Sequence, residues 1–448
     1  MHRLRLSELI SALSHALDIT EGQPEGHCVR CCWIGMQVGR RIGLPDEELR
    51  NLYYTLLLKD LGCSSNAARI CELYLTDDLA FKRNFKTVGD SVPQVLNFVL
   101  SHTGLQAPLA ERFRAVLGIF RHGSDFADEL IQTRCQRGAD IARLLRFPES
   151  VATGIYHLDE HHNGKGRPHG LAGQKIPLYS RIALMSQVID VFHTSGGPTA
   201  AMEEIAHRRG QWFDPELANV FLSVADAAFW KQLADGDIPA AVLALEPASQ
   251  IMSLDEDYLD DIAAAFGQIV DAKSPYTSGH SARVALYADL MAETIGLSAG
   301  RRRWLKRGAL LHDIGKLGVS NSILDKPGKL DEEEWAAVRA HAMYTEAILS
   351  RMDAFGELAR IASAHHERLD GNGYPRGLSA TDIAIETRII TCADIFDAIT
   401  AARPYRGAIP VDQTLQIMSE SVGPAIDPDC FEVLKATIGR LPQMAPSD

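Results

Sequence analysis

No apolar run in the 448 residues approaches the roughly 20 needed to cross a bilayer. The opening stretch, MHRLRLSELISALSHALDI, sets Leu4, Leu6, Leu9, Ile10, Leu13 and Leu17 at near-helical spacing. Glu8, Ser14 and His15 interrupt it, so it lacks the continuous core of a signal peptide and reads as an amphipathic first helix. The eight cysteines, at 28, 31, 32, 63, 71, 135, 392 and 430, lack a paired framework, which points to a reducing cytoplasm. Cys28, Cys31 and Cys32 lie in a helical pattern with no second CxxC and read as buried core thiols. Positive charge is also short. Lys and Arg number 45 against 58 Asp and Glu, a net −13 that excludes a general nucleic-acid coat, and no DNA-binding or receiver pattern appears. Long alternating stretches are missing too, so a sheet is not expected and the fold class is all-α. What is present is ample apolar material, 46% of residues, enough for two domains with cores of their own.

Those two domains are copies of one another. GHCVRCCWIGMQVGRRIGL from Gly26 aligns without gaps on GHSARVALYADLMAETIGL from Gly279, an offset of 253 that persists from Lys59-Asp60-Leu61-Gly62-Cys63 to His312-Asp313-Ile314-Gly315-Lys316. A second block matches at an offset of 207, with Gly164-Lys165-Gly166-Arg167-Pro168 on Gly371-Asn372-Gly373-Tyr374-Pro375 and Arg181-Ile182 on Arg388-Ile389. The first copy therefore carries about 46 extra residues between the blocks. The expected organisation is a helical domain over 1–228, a linker over 229–253 containing Asp235-Gly236-Asp237-Ile238-Pro239, and a second helical domain over 254–448, with a helix from Ser253 to Asp271.

Sixteen histidines divide unevenly between the copies. After residue 229 there are five: His280, His312, His341, His365 and His366. His312-Asp313 ends an apolar helix before Gly315-Lys316, and His365-His366-Glu367 ends another before the loop Asp370-Gly371-Asn372-Gly373-Tyr374-Pro375. Asp394 and Asp397, three apart, share a helix face. Neutral imidazoles with carboxylates can bind two divalent metals, the mixed N/O set suiting iron, manganese or zinc more than calcium. Two such ions can activate a water and hold the oxygens of a phosphodiester.

On His280, His312-Asp313-Ile314-Gly315-Lys316, His341, His365-His366-Glu367, Gly373-Tyr374-Pro375, Asp394 and Arg403-Pro404-Tyr405-Arg406, the second copy resembles the HD-GYP family of phosphohydrolases. The resemblance covers about 195 residues and implies an all-helical HD fold, two divalent metal ions (iron or manganese) and a cyclic-dinucleotide substrate, chiefly cyclic di-GMP. It further implies His280, His312, Asp313, His341, His365, His366 and Asp394 as metal ligands, with Asp313 bridging and acting with Lys316 in catalysis. Lys316, Tyr374, Arg403 and Arg406 match substrate-contacting positions. Some family members place a glutamate four residues before the first histidine to help hold a third metal; here that residue is Tyr276, so two ions are expected.

Carried back to the first copy, only His27 and Asp60 survive. His312 becomes Lys59, His341 Arg134, His365 Leu158, His366 Asp159, Asp394 Gln187 and Lys316 Cys63. Cations at ligand positions repel a dication, so the first copy is expected to be non-catalytic, its two cations at most holding a small anion. His161, His162 and His169 fall in a polar loop and are expected to be exposed. The resulting expectation is a cytoplasmic phosphodiesterase hydrolysing cyclic di-GMP to linear dinucleotide or mononucleotide. The alternatives are 3',3'-cyclic GMP-AMP as substrate, or a signalling role through protein contacts. A homodimer formed through the first domain is the expected assembly, with signalling proteins as further partners.

Overall fold

The computed structural model describes residues 6–89, 92–247, 255–352, 355–402 and 406–439. Among them the ordered elements are helices, and strand pairing is confined to isolated bridges, as the all-α expectation requires. No helix among them is long and apolar enough to cross a membrane. The chain divides into two compact units, Met1–Asp255 and Glu256–Asp448.

The repeat is reproduced element by element. The helices His27–Arg41 and His280–Ile295 each start directly after a left-handed glycine, Gly26 (φ 83°) and Gly279 (φ 68°), which turns the chain so that a histidine is the first helical residue. Asp46–Leu58 corresponds to Ala299–Leu311, and each is followed by a short 3-10 turn, Cys63–Asn66 or Ile314–Gly318, with Asp60 or Asp313 in the connection before it. In that turn a glycine is obligatory: a Cβ on Gly62 would lie 1.9 Å from the Arg134 carbonyl, and one on Gly315 would lie 1.9 Å from the His341 carbonyl. This close approach seats the His-Asp turn on the helix that supplies the next site residue. The bridges repeat as well, Asn163 with Ala172 matching Asp370 with Ser379, and both loops contain a cis X-Pro bond, at Pro168 and Pro375.

The second unit's core gathers Val284, Met291, Leu305, Ile389, Ile390, Phe396 and Leu434, all 2% exposed or less, around the helices His280–Ile295, Ala299–Leu311 and Ile385–Thr400. Helix Glu332–Leu349 starts at a capping box, the Asp331 carboxylate accepting from the Glu334 N–H while Glu334 accepts from the Asp331 N–H. In the first unit the amphipathic opening helix, Leu6–Thr20, buries Leu6, Leu9, Ile10, Leu13 and Leu17, and Cys28, Cys31 and Cys32 are fully buried.

The stretch expected as a linker is largely folded. Residues 227–245 form two helices of the first unit, Ala227–Asp235 and Ile238–Leu245, that bury Phe229, Leu233, Ile238, Val242 and Leu245. Phe229 packs on Trp33 with ring centroids 4.7 Å apart, and Glu246 accepts hydrogen bonds from the Ser7 and Tyr54 hydroxyls. Asp235-Gly236-Asp237-Ile238-Pro239 is a helix stop followed by a helix start: Asp237 caps the second helix and Pro239 sits in its first turn. Residues 248–254 lie outside the described residues, and the next helix runs Glu256–Asp271.

Candidate metal centre

The seven side chains named as ligands converge in the second unit. His280 opens a helix, His312, His365 and His366 follow the ends of two others, and His341 lies within helix Glu332–Leu349, so the backbone fixes the origin of each ring. Hydrogen bonds then fix the direction. The Nδ1–H groups of His312, His341 and His365 donate to the carbonyls three residues back, Ala309 (2.7 Å), Val338 (2.5 Å) and Ala362 (2.7 Å). His280 Nδ1–H donates to Asp397 Oδ2 at 2.7 Å. With Nδ1 engaged, every Nε2 is left to face inward, which is how ligating imidazoles are held by their surroundings.

All four Nε2 atoms point at Asp313, which is 1% exposed. Its Oδ2 lies 3.5 Å from His280 Nε2 and 3.4 Å from His312 Nε2, while Oδ1 lies 3.5 Å from His341 Nε2 and 3.6 Å from His365 Nε2. The ligand atoms form two groups, each within 4.8 Å: His280, His312 and Asp394 on one side, and Asp313, His341, His365 and His366 on the other. One Asp313 oxygen faces each group.

This donor set fits divalent cations. His280 Nε2, His312 Nε2 and Asp313 Oδ1 are buried without a hydrogen bond of normal geometry, an arrangement that costs free energy unless something else occupies the space between them. Burial drives the His341 imidazole down to about 3 and holds His366 well below the usual range, so both stay neutral and available as donors at neutral pH. Burial would raise Asp313, but Lys316 and His312 hold it well below the carboxylate range, so it remains an anion. Burial would lower His280, yet the carboxylates of Asp313, Asp394 and Asp397 hold it well above the imidazole range.

The expected substrate residues are placed as follows. Lys316 is ion-paired with Asp313 and lines a cavity of about 310 Å³ together with Lys273, Tyr276, Thr277 and Arg406. Arg406 reaches that cavity while its guanidinium closes the end of helix Ile385–Thr400, donating to the carbonyls of Ala398, Ile399 and Ala401. Arg403 lies outside the described residues. The Tyr374 ring stacks on His366, with centroids 4.8 Å apart and planes 30° apart, and the Arg339 guanidinium is 5.7 Å from its centroid. Tyr276, at the position where a third-metal glutamate would stand, is 37% exposed at the cavity edge.

Two residues noted in the sequence pattern were given no role there, and the structure supplies one for each. Asp397 holds His280 and also accepts from Arg283 (2.6 and 2.9 Å). Glu367, 2% exposed, accepts from the backbone N–H groups of Arg376 (2.7 Å) and Leu378 (2.8 Å) and so clamps the Gly-Tyr-Pro loop. The repeat carried the signal for both: Asp190 takes the same bonds from His27 and Arg30, and Glu160 takes them from the His169 and Leu171 N–H groups.

In the first unit this supporting shell is kept and the centre is filled differently. The Lys59 ammonium is fully buried, 3.0 Å from His27 Nε2 and ion-paired with Asp60, so a side-chain cation stands among the groups that survive. Arg134 pairs with Asp159. Two His, Cys and carboxylate groups do lie close together there, His27 with Cys31 and Asp190, and Glu21 with Asp60 and Cys63. Lys59 engages His27 and Asp60, however, and Lys86 engages Glu21 at 2.7 Å. Both cations at former ligand positions thus have internal carboxylate partners, which leaves the small-anion reading without support. His161 and His162 are half-buried rather than exposed, because His161 stacks on Trp212 at 4.1 Å. His169 is exposed.

Comparison with known proteins places the chain in a family. The HD domain sequence profile matches residues 118–217 and 265–430, more than half of the chain and parts of both copies. The chain belongs to the HD domain family. The family resemblance carried by the second copy's motifs is thereby borne out. Among HD domain relatives, the chain is 57% identical to the 3'3'-cGAMP-specific phosphodiesterase 3 of Vibrio cholerae serotype O1, over 98% of this chain and 95% of that one. It is 39% identical over 170 residues to the cyclic di-GMP phosphodiesterase response regulator RpfG of Xanthomonas campestris pv. campestris, covering 38% of this chain and 45% of RpfG. A crystal structure of a cyclic GMP-AMP-specific phosphodiesterase of V. cholerae, V-cGAP3, matches at 51% identity and a TM-score of 0.66, covering 98% of this chain and 99% of that one.

Proposed function

We propose that this HD domain protein is a metal-dependent cyclic-dinucleotide phosphodiesterase whose preferred substrate is 3',3'-cyclic GMP-AMP. The observation that carries the choice of substrate is the extent of likeness. A relative named for cyclic GMP-AMP matches 98% of the chain at 57% identity, the first copy included, whereas two others named for cyclic GMP-AMP, at 40% identity, and the cyclic di-GMP phosphodiesterase RpfG, at 39%, each match about two fifths of it. Cyclic di-GMP, the leading expectation from the motifs, becomes the second reading.

His280, His312 and Asp394 would hold one divalent cation, His341, His365 and His366 the other, and Asp313 would share one oxygen with each. Iron or manganese suits these N/O donors. When bound, two such ions lower the pKa of a water and offset charge on the phosphodiester. The chain's own residues do the rest. Lys316, beside Asp313 and facing the cavity, brings positive charge to the phosphate oxygens as charge develops on them. Tyr374, fixed on His366, limits where the substrate can lie, and Arg406 adds positive charge on the cavity's far wall. Water adds to phosphorus, one P–O bond of the ring breaks, and a linear dinucleotide leaves. The first unit, with Lys59 in the place of a ligand, is non-catalytic.

The test uses the full chain reconstituted with Fe(II) or Mn(II), with each cyclic dinucleotide supplied alone and in competition, and products separated by chromatography. The expected outcome is a kcat/KM at least about tenfold higher for cyclic GMP-AMP, a difference of about 1.4 kcal/mol. His312→Ala and Asp313→Ala should abolish turnover. Unchanged turnover in either variant removes the site assignment, and equal rates on both substrates remove the specificity.

A further inference from the structure

The extra residues of the first copy build something the second copy has no counterpart for. Between the His-Asp turn and the next site residue the first copy has helices Ala67–Tyr74, Asp78–Phe85 and Val92–His102 and the front half of helix Leu109–Leu144, where the second copy has the four-residue helix Asn321–Leu324. That last helix has 36 residues where its counterpart, Glu332–Leu349, has 18. Among the described residues, eight of the seventeen large hydrophobic side chains exposed to solvent fall in the 36 residues from Phe85 to Phe120.

These side chains lie on consecutive elements of that region. Leu109 (83% exposed), Phe113 (67%) and Phe120 (52%) follow each other along one side of the long helix, with half-buried Val116 between the phenylalanines. Their spacing of four, three and four residues is that of a coiled-coil seam. Val95, Leu96 and Leu100 are exposed on helix Val92–His102, and Leu105 in the turn between the two helices. Arg112 joins the two helices by donating to the Leu100 and Thr103 carbonyls. Phe85, the last residue of helix Asp78–Phe85, has its ring 5.5 Å from that of Phe98 in helix Val92–His102.

We propose that this face is where a second copy of the chain docks, seam against seam. The eight side chains expose on the order of 600–700 Å² of apolar surface, where monomers ordinarily show a few hundred. That is close to the roughly 800 Å² that each partner contributes to a stable interface. Charge favours a like partner. From Leu109 to Asp128 the helix carries three arginines and three carboxylates, a neutral face on a chain of net −13, so two copies meet there without repulsion. A lipid surface fits less well, because the three arginines of that helix stretch are matched by its three carboxylates and Lys86 is paired with Glu21, which leaves no net positive charge to attract anionic headgroups. The docking is independent of the catalytic reading, since none of its residues belongs to the metal centre.

Sedimentation velocity of the full chain across a micromolar concentration series tests this. The wild type should sediment at twice the chain mass, and Phe113→Glu with Phe120→Glu should sediment as a monomer with unchanged circular dichroism and unchanged phosphodiesterase turnover per folded molecule. Phe113→Ser alone, a milder change, should raise the dissociation constant at least about tenfold. A monomeric wild type overturns the proposal, whether or not it binds phosphatidylglycerol vesicles, and so does a dimer that survives the double substitution.

Discussion

Asp397→Asn separates support of the metal centre from support of the fold, because the chain contains its own control. Asp397 accepts from His280 Nδ1 at 2.7 Å and from Arg283 at 2.6 and 2.9 Å; Asp190 accepts from His27 Nδ1 at 2.7 Å and from Arg30 at 2.6 and 3.1 Å. An asparagine keeps the shape, loses the charge and presents an NH2 to one donor. A charge-assisted hydrogen bond contributes roughly 1.5–3 kcal/mol, and the partial exposure of Arg283 and Arg30 discounts their share, so each substitution should cost its own unit about 2 kcal/mol. Only at residue 397 does the loss also free a ring whose Nε2 faces the metal centre. Loss of such an outer partner lowers metal affinity or activity about 10–100-fold, or about 1.4–2.7 kcal/mol. Metal content by mass spectrometry and turnover per folded molecule should therefore fall in Asp397→Asn and hold in Asp190→Asn. Equal losses in the two variants, or full metal and turnover in Asp397→Asn, would refute the reasoning.

Further outcomes follow from the same geometry. Lys59→Met leaves Asp60 charged and unpaired in the first unit's interior and should cost about 3–5 kcal/mol in denaturant unfolding; a neutral result would mean that Lys59 is not the cation holding that cluster together. Glu367→Gln removes a carboxylate that accepts two backbone N–H groups, so the loop carrying Tyr374 should loosen, raising KM several-fold with a smaller change in kcat. A change in kcat alone would show that the loop does not act through substrate binding. Chelation should abolish turnover and lower the second unit's melting temperature while leaving the first unit's transition in place, as followed by calorimetry; an equal shift of both transitions would place metal in both units.

Much of this was legible in one dimension because the chain carries two copies of its own pattern. The alignment of His27 with His280 and of Lys59 with His312 separated positions kept for the fold from positions kept for the centre, and all seven candidate ligands do meet. The supporting residues were harder to see. Asp190 and Asp397 sit more than a hundred residues from the histidines they hold, and nothing in local spacing joins them. The linker failed for a related reason. Asp235-Gly236-Asp237-Ile238-Pro239 has linker composition, but the burial that makes its neighbours structural comes from Trp33, Ser7 and Tyr54, far away in sequence. The half-buried His161 likewise depends on Trp212, which the loop's polarity does not announce.

The sequence by itself determined the helical class, the duplication, the shortage of positive charge and the inventory of imidazoles and carboxylates, since these depend on composition, periodicity and self-similarity. Tertiary structure alone decided direction. It turned four Nε2 atoms toward one carboxylate by tying their Nδ1 atoms elsewhere, and it placed the Lys59 ammonium against His27 and Asp60 in the first unit. A side chain's identity sets what it can donate or accept. Which partner it meets is set by helices brought together from distant parts of the chain, so the exchange of His312 for Lys59 was legible in the sequence while the contacts each makes were not.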